Sequence, residues 1–379
     1  MKILADENIP LVVSAFSTIG EVHTIEGRSI TPKDLHDVDI LLVRSVTKVD
    51  KQLLKDSKVR FVGTATIGFD HIDLDYLRQN KIGFASAPGC NANSAAEYVI
   101  STLLILSQQK NFKLRDKTVG IIGCGNVGSN VLRKLQALDV RCLINDPPLQ
   151  ATENNQEGFV DLETVLQADI VTLHVPLEKA GRYPTYHLIN QAFLNQLSDG
   201  TILLNISRGD VADEAALTYS LINRPQLSVV FDVWPHEPSI NPFLMQKAII
   251  ATPHIAGYSL DGKLRGTEML YMAVCQYFQY AAAWQAKDYL PQSNVTELHF
   301  SEQTSETEAL LMAVTACYDV RRDDALLRQM LHHPNPAIYF DQLRKTYPVR
   351  REFSSLKIKL PANKQGLQQK FEMLGFSVV

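Results

Sequence analysis

Three polar side chains that could together assist the transfer of a hydride from a hydroxy acid to a bound acceptor each follow a separate apolar segment of the chain: Arg208, Glu237 and His254. Oxidation of a 2-hydroxy acid needs a base for the hydroxyl proton, a cation for the carboxylate and a group that orients the base. Histidine suits the first role because it titrates near physiological pH. Arginine suits the second through its planar guanidinium, and a glutamate can hold an imidazole in one tautomer. Singly, such residues are more often surface ion pairs, turn residues or packed side chains. All three, however, are predicted to follow successive strands of one sheet, and this shared position favours a catalytic role.

A glycine-rich segment at 118–128 predicts a second kind of site. A β-branched run there ends in Gly123, Gly125 and Gly128, which have the G-x-G-x-x-G spacing. This spacing is typical of a strand, a tight turn and a helix whose N-terminal amides hold a pyrophosphate. Asn126 and Val127 would meet the pyrophosphate through their backbone. Glycine also marks ordinary turns, so the spacing alone is weak.

Asp146 supports the dinucleotide interpretation of that segment. It ends a second apolar run, Val140 to Asn145, about twenty residues beyond the glycines, where the ribose-binding carboxylate of such folds lies. Pro147 and Pro148 follow it, with no Arg or Lys to accept a 2′-phosphate. The sequence therefore favours NAD over NADP.

Alternating strand and helix patterns place these residues in an α/β protein built on parallel sheets. A Rossmann-type doubly wound sheet of about six strands is expected over 96–257. The first 95 residues lack a glycine fingerprint and predict a flavodoxin-like α/β substrate (lid) domain, completed by 258–285. A small C-terminal α+β domain over 286–379 follows. The predicted strands are Lys2–Ala5, Ile40–Val43, Val59–Gly63, Gly83–Ala85, Ile170–Leu173, Thr201–Asn205, Val229–Val233 and Ile249–Ala251.

Two loops of the first domain, Arg44–Lys48 and Gly63–Gly68, follow predicted strands. Ligands of open α/β sheets bind at the carboxyl ends of strands. The hydroxyls and cations in these loops suit a carboxylate or a phosphate. Ordinary turn chemistry explains the same composition, so the loops by themselves leave both interpretations open.

Composition bounds the remaining classes. A net charge of −4 over 379 residues argues against a general nucleic-acid surface. The five cysteines are scattered, which predicts neither a disulfide scaffold nor a metal site. The longest apolar run is far shorter than the ~20 residues that span a bilayer, so no membrane association is expected. The chain opens on a strand pattern, which makes the cytoplasm the default location.

Four motifs, taken in order, resemble the D-isomer-specific 2-hydroxyacid dehydrogenase superfamily. They are Gly123–Gly128, Asn205–Gly209, Asp232–Pro238 and Thr252–Tyr258. Further stretches are similar to the branch that oxidises 4-phospho-D-erythronate at C2 in pyridoxal phosphate synthesis. These stretches are Val43–Lys48, Gly63–Thr66, Ala87–Ala92, Tyr318–Asp324 and Leu343–Glu352.

The resemblance implies a role for individual residues and a homodimer formed by the last domain. Arg208, Glu237 and His254 match the catalytic positions, and Ser45, Thr66 and Tyr258 match substrate contacts. The positions that would line NAD are Asn126, Val127, Asp146, Val175, Ile206, Ser207, Arg208, Asp232 and Gly257. Residue 175 is often Thr in relatives, so a side-chain hydrogen bond to NAD is lost at Val175.

Alternatives stay open at this point. Another member of the superfamily, such as a 3-phosphoglycerate dehydrogenase, would have a C-terminal domain of similar length. A NAD-sensing binding protein, like the corepressors built on this fold, can retain the Arg-Glu-His set. Arg44 and Lys48 are candidate phosphate partners. Two interpretations stay open for the basic stretch Arg344–Arg351: a solvated face, which its composition favours, and a contribution to the phosphate site of a partner subunit.

Overall fold

The computed structural model describes residues 1–152 and 158–379. The strands are β1 Lys2–Asp6, β2 Glu21–Ile25, β3 Ile40–Val43, β4 Phe61–Thr64, β5 Gly83–Ala85, β6 Thr118–Ile122, β7 Arg141–Asn145, β8 Ile170–Leu173, β9 Ile202–Asn205, β10 Ser228–Phe231, β11 Ile250–Ala251, β12 Glu297–His299, β13 Lys357–Lys359 and β14 Ser377–Val378. The helices are α1 Val12–Phe16, α2 Lys51–Leu54, α3 Leu74–Gln79, α4 Ala92–Gln109, α5 Asn126–Ala137, α6 Pro147–Thr152, α7 Leu162–Val165, α8 Gln191–Gln196, α9 Glu214–Asn223, α10 Pro242–Lys247, α11 Leu260–Phe278, α12 Glu306–Cys317, α13 Val320–Arg328, α14 Pro336–Lys345 and α15 Gln365–Leu374.

The chain divides into two compact units, of which the first comprises 1–91 and 259–291. Its parallel sheet has the order β2-β1-β3-β4-β5, which is the flavodoxin-like order. Strands β3 and β4 are buried along their length, as expected for parallel strands covered on both faces. The edge strand β2 was not predicted, because its half-exposed sequence EVHTI lacks a continuous apolar run. Helix α11 packs on this sheet through Leu270 and Tyr271.

The second unit, 92–258 with 292–379, contains the sheet that carries the glycine-rich turn. Its strands are parallel in the order β11-β10-β9-β8-β6-β7. The chain passes from β6 to β7 on one side and reaches β8 on the other. The topological switch point therefore lies at the carboxyl ends of β6 and β8, where dinucleotides bind in doubly wound folds. The predicted Rossmann-type parallel sheet of about six strands is confirmed.

The C-terminal region packs within this second unit. Strands β12, β13 and β14 form a small parallel sheet, and α15 lies against α5. Phe353, Phe371 and Leu374 share one apolar core with Val99 of α4 and Leu135 of α5. The division into three domains with 286–379 as a separate dimerisation domain stays a prediction. Over the described ranges, no helix is long and apolar enough to cross a membrane.

Candidate active site

The turn between β6 and α5 needs glycine for two different reasons. Gly123 has φ +86°, a backbone conformation that residues other than glycine rarely adopt. Gly128 lies so close to β6 that a Cβ there would stand 2.0 Å from the carbonyl oxygen of Gly123. At Gly125, by contrast, a Cβ would meet no atom of the described chain within 4 Å. The turn is thus tightly packed at its two ends and open in its middle.

The open middle of the turn fits the pyrophosphate of NAD. Gly125 is the N-cap of α5, and no side chain caps the first amides of this helix. Those amides and the helix dipole favour an anion at this point. Asn126 is exposed and Val127 is half-buried, so both can offer backbone amides there. Val175 packs against Gly123 from the end of β8, where its Cγ1 would lie 2.9 Å from a Cβ at that glycine.

Asp146 is tied to the glycine-rich turn by hydrogen bonds. One carboxylate oxygen accepts a hydrogen bond from the amide of Cys124 at 2.7 Å, and the other accepts one from the amide of Leu149 at 2.9 Å. Each oxygen of a carboxylate can accept a second hydrogen bond. The half-buried Asp146 is therefore positioned to accept ribose hydroxyls beside the turn, which fits NAD rather than a phosphorylated ribose.

His254 and Glu237 form a direct pair at the carboxyl edge of the sheet. The Nδ1 atom of His254 lies 2.7 Å from Oε2 of Glu237, and Oε1 accepts the amide hydrogen of Trp234 at 2.8 Å. Burial alone would raise the pKa of Glu237, but its hydrogen bond with His254 and the charge of that residue lower it overall. Glu237 is therefore held ionised, as a group that orients an imidazole must be.

The loop that carries His254 is organised by Asp232, which is 1% exposed. Its carboxylate accepts hydrogen bonds from the amides of Ile255 and Ala256 and from the hydroxyl of Thr252, at 2.7–2.9 Å. The amide of His254 donates to the carbonyl of Asp232 at 2.7 Å. These bonds hold His254 at φ +57°, which is uncommon for a residue with a side chain. The predicted contact of Asp232 with NAD stays a prediction.

Arg208 is presented by the residues that follow β9. Asn205 donates from Nδ2 to the carbonyl of Arg208 at 3.0 Å, and its Oδ1 accepts the amide and hydroxyl of Ser207. The next residue, Gly209, passes the backbone of Trp234 so closely that a Cβ would lie 1.9 Å from its carbonyl oxygen. Arg208 itself is exposed, so its guanidinium is accessible to an anion.

The other predicted contacts of this unit lie nearby in the chain. Ile206 and Gly257 are half-buried. Tyr258 ends the His254 loop, and its ring meets the ring of Tyr347 edge to face at 5.6 Å.

In the first unit, Ser45 and Thr66 follow β3 and β4. Ser45 is exposed, whereas the Thr66 hydroxyl donates to the carbonyl of Gly68 at 2.8 Å. Both cations of the first loop have carboxylate neighbours in this unit. Nε of Arg44 lies 3.5 Å from Asp6, and Nζ of Lys48 lies 3.0 Å from Asp50.

Arg350 does not fit the solvated-face interpretation of the stretch 344–351. It is 3% exposed and donates to the carbonyls of Ala256 at 3.0 Å and Ser94 at 2.7 Å. Its guanidinium also stacks 3.7 Å above the ring of Tyr318. Arg350 thus stabilises the loop that carries His254 through its hydrogen bond to Ala256. Sequence reasoning missed this role because a basic run carries no sign of which of its members turns inward.

His174 is a second residue that sequence reasoning passed over. It follows β8, and its Nε2 lies 3.1 Å from the hydroxyl of Thr172. Burial lowers the pKa of His174 to about 3, so the imidazole is neutral. In the sequence, the one feature that could have drawn attention to His174 is its position directly before Val175, a predicted NAD contact.

Comparison with known proteins shows the family and the fold of the chain. Residues 104–256 match the family model described as D-isomer specific 2-hydroxyacid dehydrogenase, NAD binding domain. Residues 289–375 match a model described as a domain of unknown function. Among solved structures, NAD⁺-bound 3-phosphoglycerate dehydrogenase from Entamoeba histolytica is 26% identical, with a TM-score of 0.61, over 74% of this chain and 95% of that one. A D-lactate dehydrogenase from Aquifex aeolicus shares the fold, at 23% identity and a TM-score of 0.59, over 74% of this chain and 96% of that one.

Curated relatives match over the whole length. The erythronate-4-phosphate dehydrogenase of Marinobacter nauticus is 48% identical over 100% of both chains. The enzyme of the same name from Proteus mirabilis is 48% identical over 94% of both. The chain therefore belongs to the erythronate-4-phosphate dehydrogenase family of D-isomer-specific 2-hydroxyacid dehydrogenases, with its NAD-binding domain within residues 104–256.

Proposed function

We propose that the protein oxidises the C2 hydroxyl of 4-phospho-D-erythronate to (R)-3-hydroxy-2-oxo-4-phosphooxybutanoate with NAD⁺, a step in pyridoxal/pyridoxine 5′-phosphate biosynthesis. The observation that carries this proposal is the 2.7 Å contact between His254 and Glu237 at the carboxyl edge of a dinucleotide sheet. The 48% identity to full-length relatives of that name supports the substrate.

His254 is the proposed base. With Nδ1 donating to the ionised Glu237, the neutral imidazole has its lone pair on Nε2. That atom takes the hydroxyl proton while the C2–O bond becomes a carbonyl. Glu237 keeps the ring in this tautomer and stabilises the imidazolium that forms.

Arg208 is the proposed cation for the substrate carboxylate. Its planar guanidinium binds the two carboxylate oxygens and fixes C2 relative to His254. It also stabilises negative charge that develops on the C2 oxygen. NAD⁺, when bound, supplies the acceptor for the hydride that leaves C2. Gly125, Asn126, Val127 and Asp146 are the residues proposed to hold it.

Further contacts and assembly belong to the same proposal. Ser45, Thr66 and Tyr258 are the proposed substrate contacts. The region 286–379 is proposed to form a homodimer, and exposed apolar side chains at Met312, Ile338 and Val349 are consistent with this. Light scattering that gives a particle of 42.4 kDa, the mass of one chain, would contradict the dimer. We place the enzyme in the cytoplasm.

The proposed function is tested by following NADH formation with 4-phospho-D-erythronate and 3-phospho-D-glycerate in parallel assays. Clear preference for the four-carbon acid supports the proposal. Preference for the three-carbon acid would support the proposed NAD-dependent oxidation but would contradict 4-phospho-D-erythronate as the substrate. If both are inactive, the assay is repeated with an added 2-oxo acid that can reoxidise tightly held NADH. Continued inactivity together with measurable NAD binding would favour a NAD-sensing binding protein.

A further inference from the structure

Arg344 is a half-buried cation of α14 that lacks a polar partner within residues 1–152 and 158–379. Its Nε atom is buried and makes no hydrogen bond there, and none of its guanidinium nitrogens forms an ion pair with a described residue. Buried polar groups in folded proteins nearly always have a partner. A buried donor without an acceptor is costly, and an anion bound at Arg344 would supply the acceptor that Nε lacks.

The position of Arg344 is close to the proposed chemistry. Its guanidinium carbon lies 5.8 Å from the ring centroid of Tyr258, the last residue of the His254 loop. The positive charge of Arg344 is also one of the influences that lower the pKa of Glu237. The unpartnered cation, the Tyr258 ring and the His254–Glu237 pair therefore lie in one region of the second unit.

Neighbouring arginines are already engaged, which sets Arg344 apart. Arg328 donates to Asp324 and to the carbonyl of Ala248. Arg321 pairs with Asp319 at 2.6 Å. Arg350 is buried with two carbonyl partners. Each of these three arginines donates hydrogen bonds to groups of the protein itself, whereas the Nε–H of Arg344 is left without an acceptor in the described residues.

We propose that Arg344 binds the phosphate group of the substrate and makes the site selective for a phosphorylated hydroxy acid. The inference rests on the proposed function, in which Arg208 takes the carboxylate. A phosphate offers oxygens to both Nε and Nη of a guanidinium at once, which supplies the buried Nε with its partner. The guanidinium carbon is within cation–π distance of the Tyr258 ring, so the ring helps to hold the positive charge at this position.

The test compares Arg344→Ala and Arg344→Lys with Lys345→Ala, a matched control that removes the adjacent exposed cation of the same helix. KM and kcat are measured with 4-phospho-D-erythronate and with D-erythronate, which lacks the phosphate. We expect Arg344→Ala to raise KM for the phosphorylated acid roughly 10- to 100-fold. It should leave kcat/KM for D-erythronate within about twofold of wild type. The KM of Arg344→Lys for the phosphorylated acid should lie between those of the wild type and Arg344→Ala, because lysine keeps the positive charge but loses the bidentate guanidinium.

A second readout does not depend on turnover. Thermal unfolding is followed with and without inorganic phosphate, with sodium chloride added to match the ionic strength. We expect phosphate to raise the Tm of the wild type and of Lys345→Ala more than that of Arg344→Ala. Thermal unfolding without phosphate also verifies that each variant is folded.

The outcomes separate this inference from the proposed function. If the wild type turns over 4-phospho-D-erythronate, an unchanged KM in Arg344→Ala, or an equal loss with both acids, overturns the role of Arg344 and leaves the function standing. If the wild type does not turn it over, the proposed function fails and the phosphate response decides. In that case the proposed anion site is overturned if phosphate raises the Tm of the wild type and of Arg344→Ala equally, or raises neither.

Discussion

Glu237 and His254 are joined by a hydrogen bond of 2.7 Å between Oε2 and Nδ1. The second oxygen of Glu237 is held by the amide of Trp234, so the carboxylate cannot rotate away from the imidazole. The backbone amide of His254 donates a hydrogen bond to the carbonyl of Asp232. Both the backbone and Nδ1 of His254 are therefore held, which leaves Nε2 as the nitrogen that can take a proton.

Replacing His254 by Asn should abolish most of the activity without weakening NAD binding. Asn is chosen because it tolerates the positive φ of this residue. We expect kcat to fall by about 10²- to 10⁴-fold, which is the usual contribution of a general base. The Kd for NADH, measured by fluorescence titration, should not change. His236→Asn is the matched control, since His236 is exposed and also has a positive φ; near-normal kcat in His254→Asn would refute the base.

The pH dependence of stability should report on Glu237. Its pKa is lower in the folded protein than the ordinary value of 4.5. The folded state therefore binds fewer protons than the unfolded state, and the resulting stabilisation is present above pH 4.5. It is lost as the pH falls below that value through the folded-state pKa. In urea unfolding above and below pH 4.5, Glu237→Gln should lose less stability on acidification than the wild type. Equal losses would contradict the ionised pair.

Arg208→Lys should be poorly tolerated. A lysine keeps the charge but loses the second hydrogen bond to the carboxylate. We expect kcat/KM for 4-phospho-D-erythronate to fall by roughly 10- to 100-fold, the equivalent of one hydrogen bond to a charged group. Because Arg208 is exposed, the Tm should stay within about 1 °C of the wild type. An unchanged kcat/KM would argue against the carboxylate role.

Two glycines of one turn should respond differently to alanine. Gly125→Ala introduces a methyl group into open space at φ −70°, so the fold should be kept while the Kd for NADH rises. Gly128→Ala places a methyl group 2.0 Å from the Gly123 carbonyl oxygen, so the backbone must shift and the Tm should fall. Calorimetry and fluorescence titration on both variants measure the two effects. Unaltered NADH affinity in Gly125→Ala would mean that the pyrophosphate does not approach this residue.

Arg350→Ala should destabilise the protein rather than change its substrate preference. The change removes a buried charge and leaves the carbonyls of Ala256 and Ser94 without their donor. It also removes a cation that lies 4.0 Å from the buried Glu97. Loss of one member of a buried ionic group costs about 3–5 kcal/mol, which urea unfolding can measure. A loss below about 1 kcal/mol would mean that Arg350 does not brace the His254 loop.

Sequence alone determined the elements whose chemistry is local. The spacing of Gly123, Gly125 and Gly128, taken together with Asp146, predicted a strand, a turn and a helix. The structure shows why glycine is needed at two of these positions: Gly123 has a positive φ, and Gly128 approaches the backbone of Gly123 closely. Parallel strands end at a common edge, so residues that follow β9, β10 and β11 had to be neighbours. That rule predicted that Arg208, Glu237 and His254 share one edge of the sheet, and the structure shows direct contact between Glu237 and His254.

Tertiary structure alone decided the role of each member of the basic stretch. Arg344 and Arg350 are six residues apart and chemically identical, yet Arg350 is buried with its donors satisfied and Arg344 retains its donors beside Tyr258. The difference comes from the packing of the C-terminal region against α4 and the His254 loop, between residues more than 90 positions apart. Local sequence cannot encode such a choice, because the burial of a charge is set by the partners that the rest of the fold brings to it.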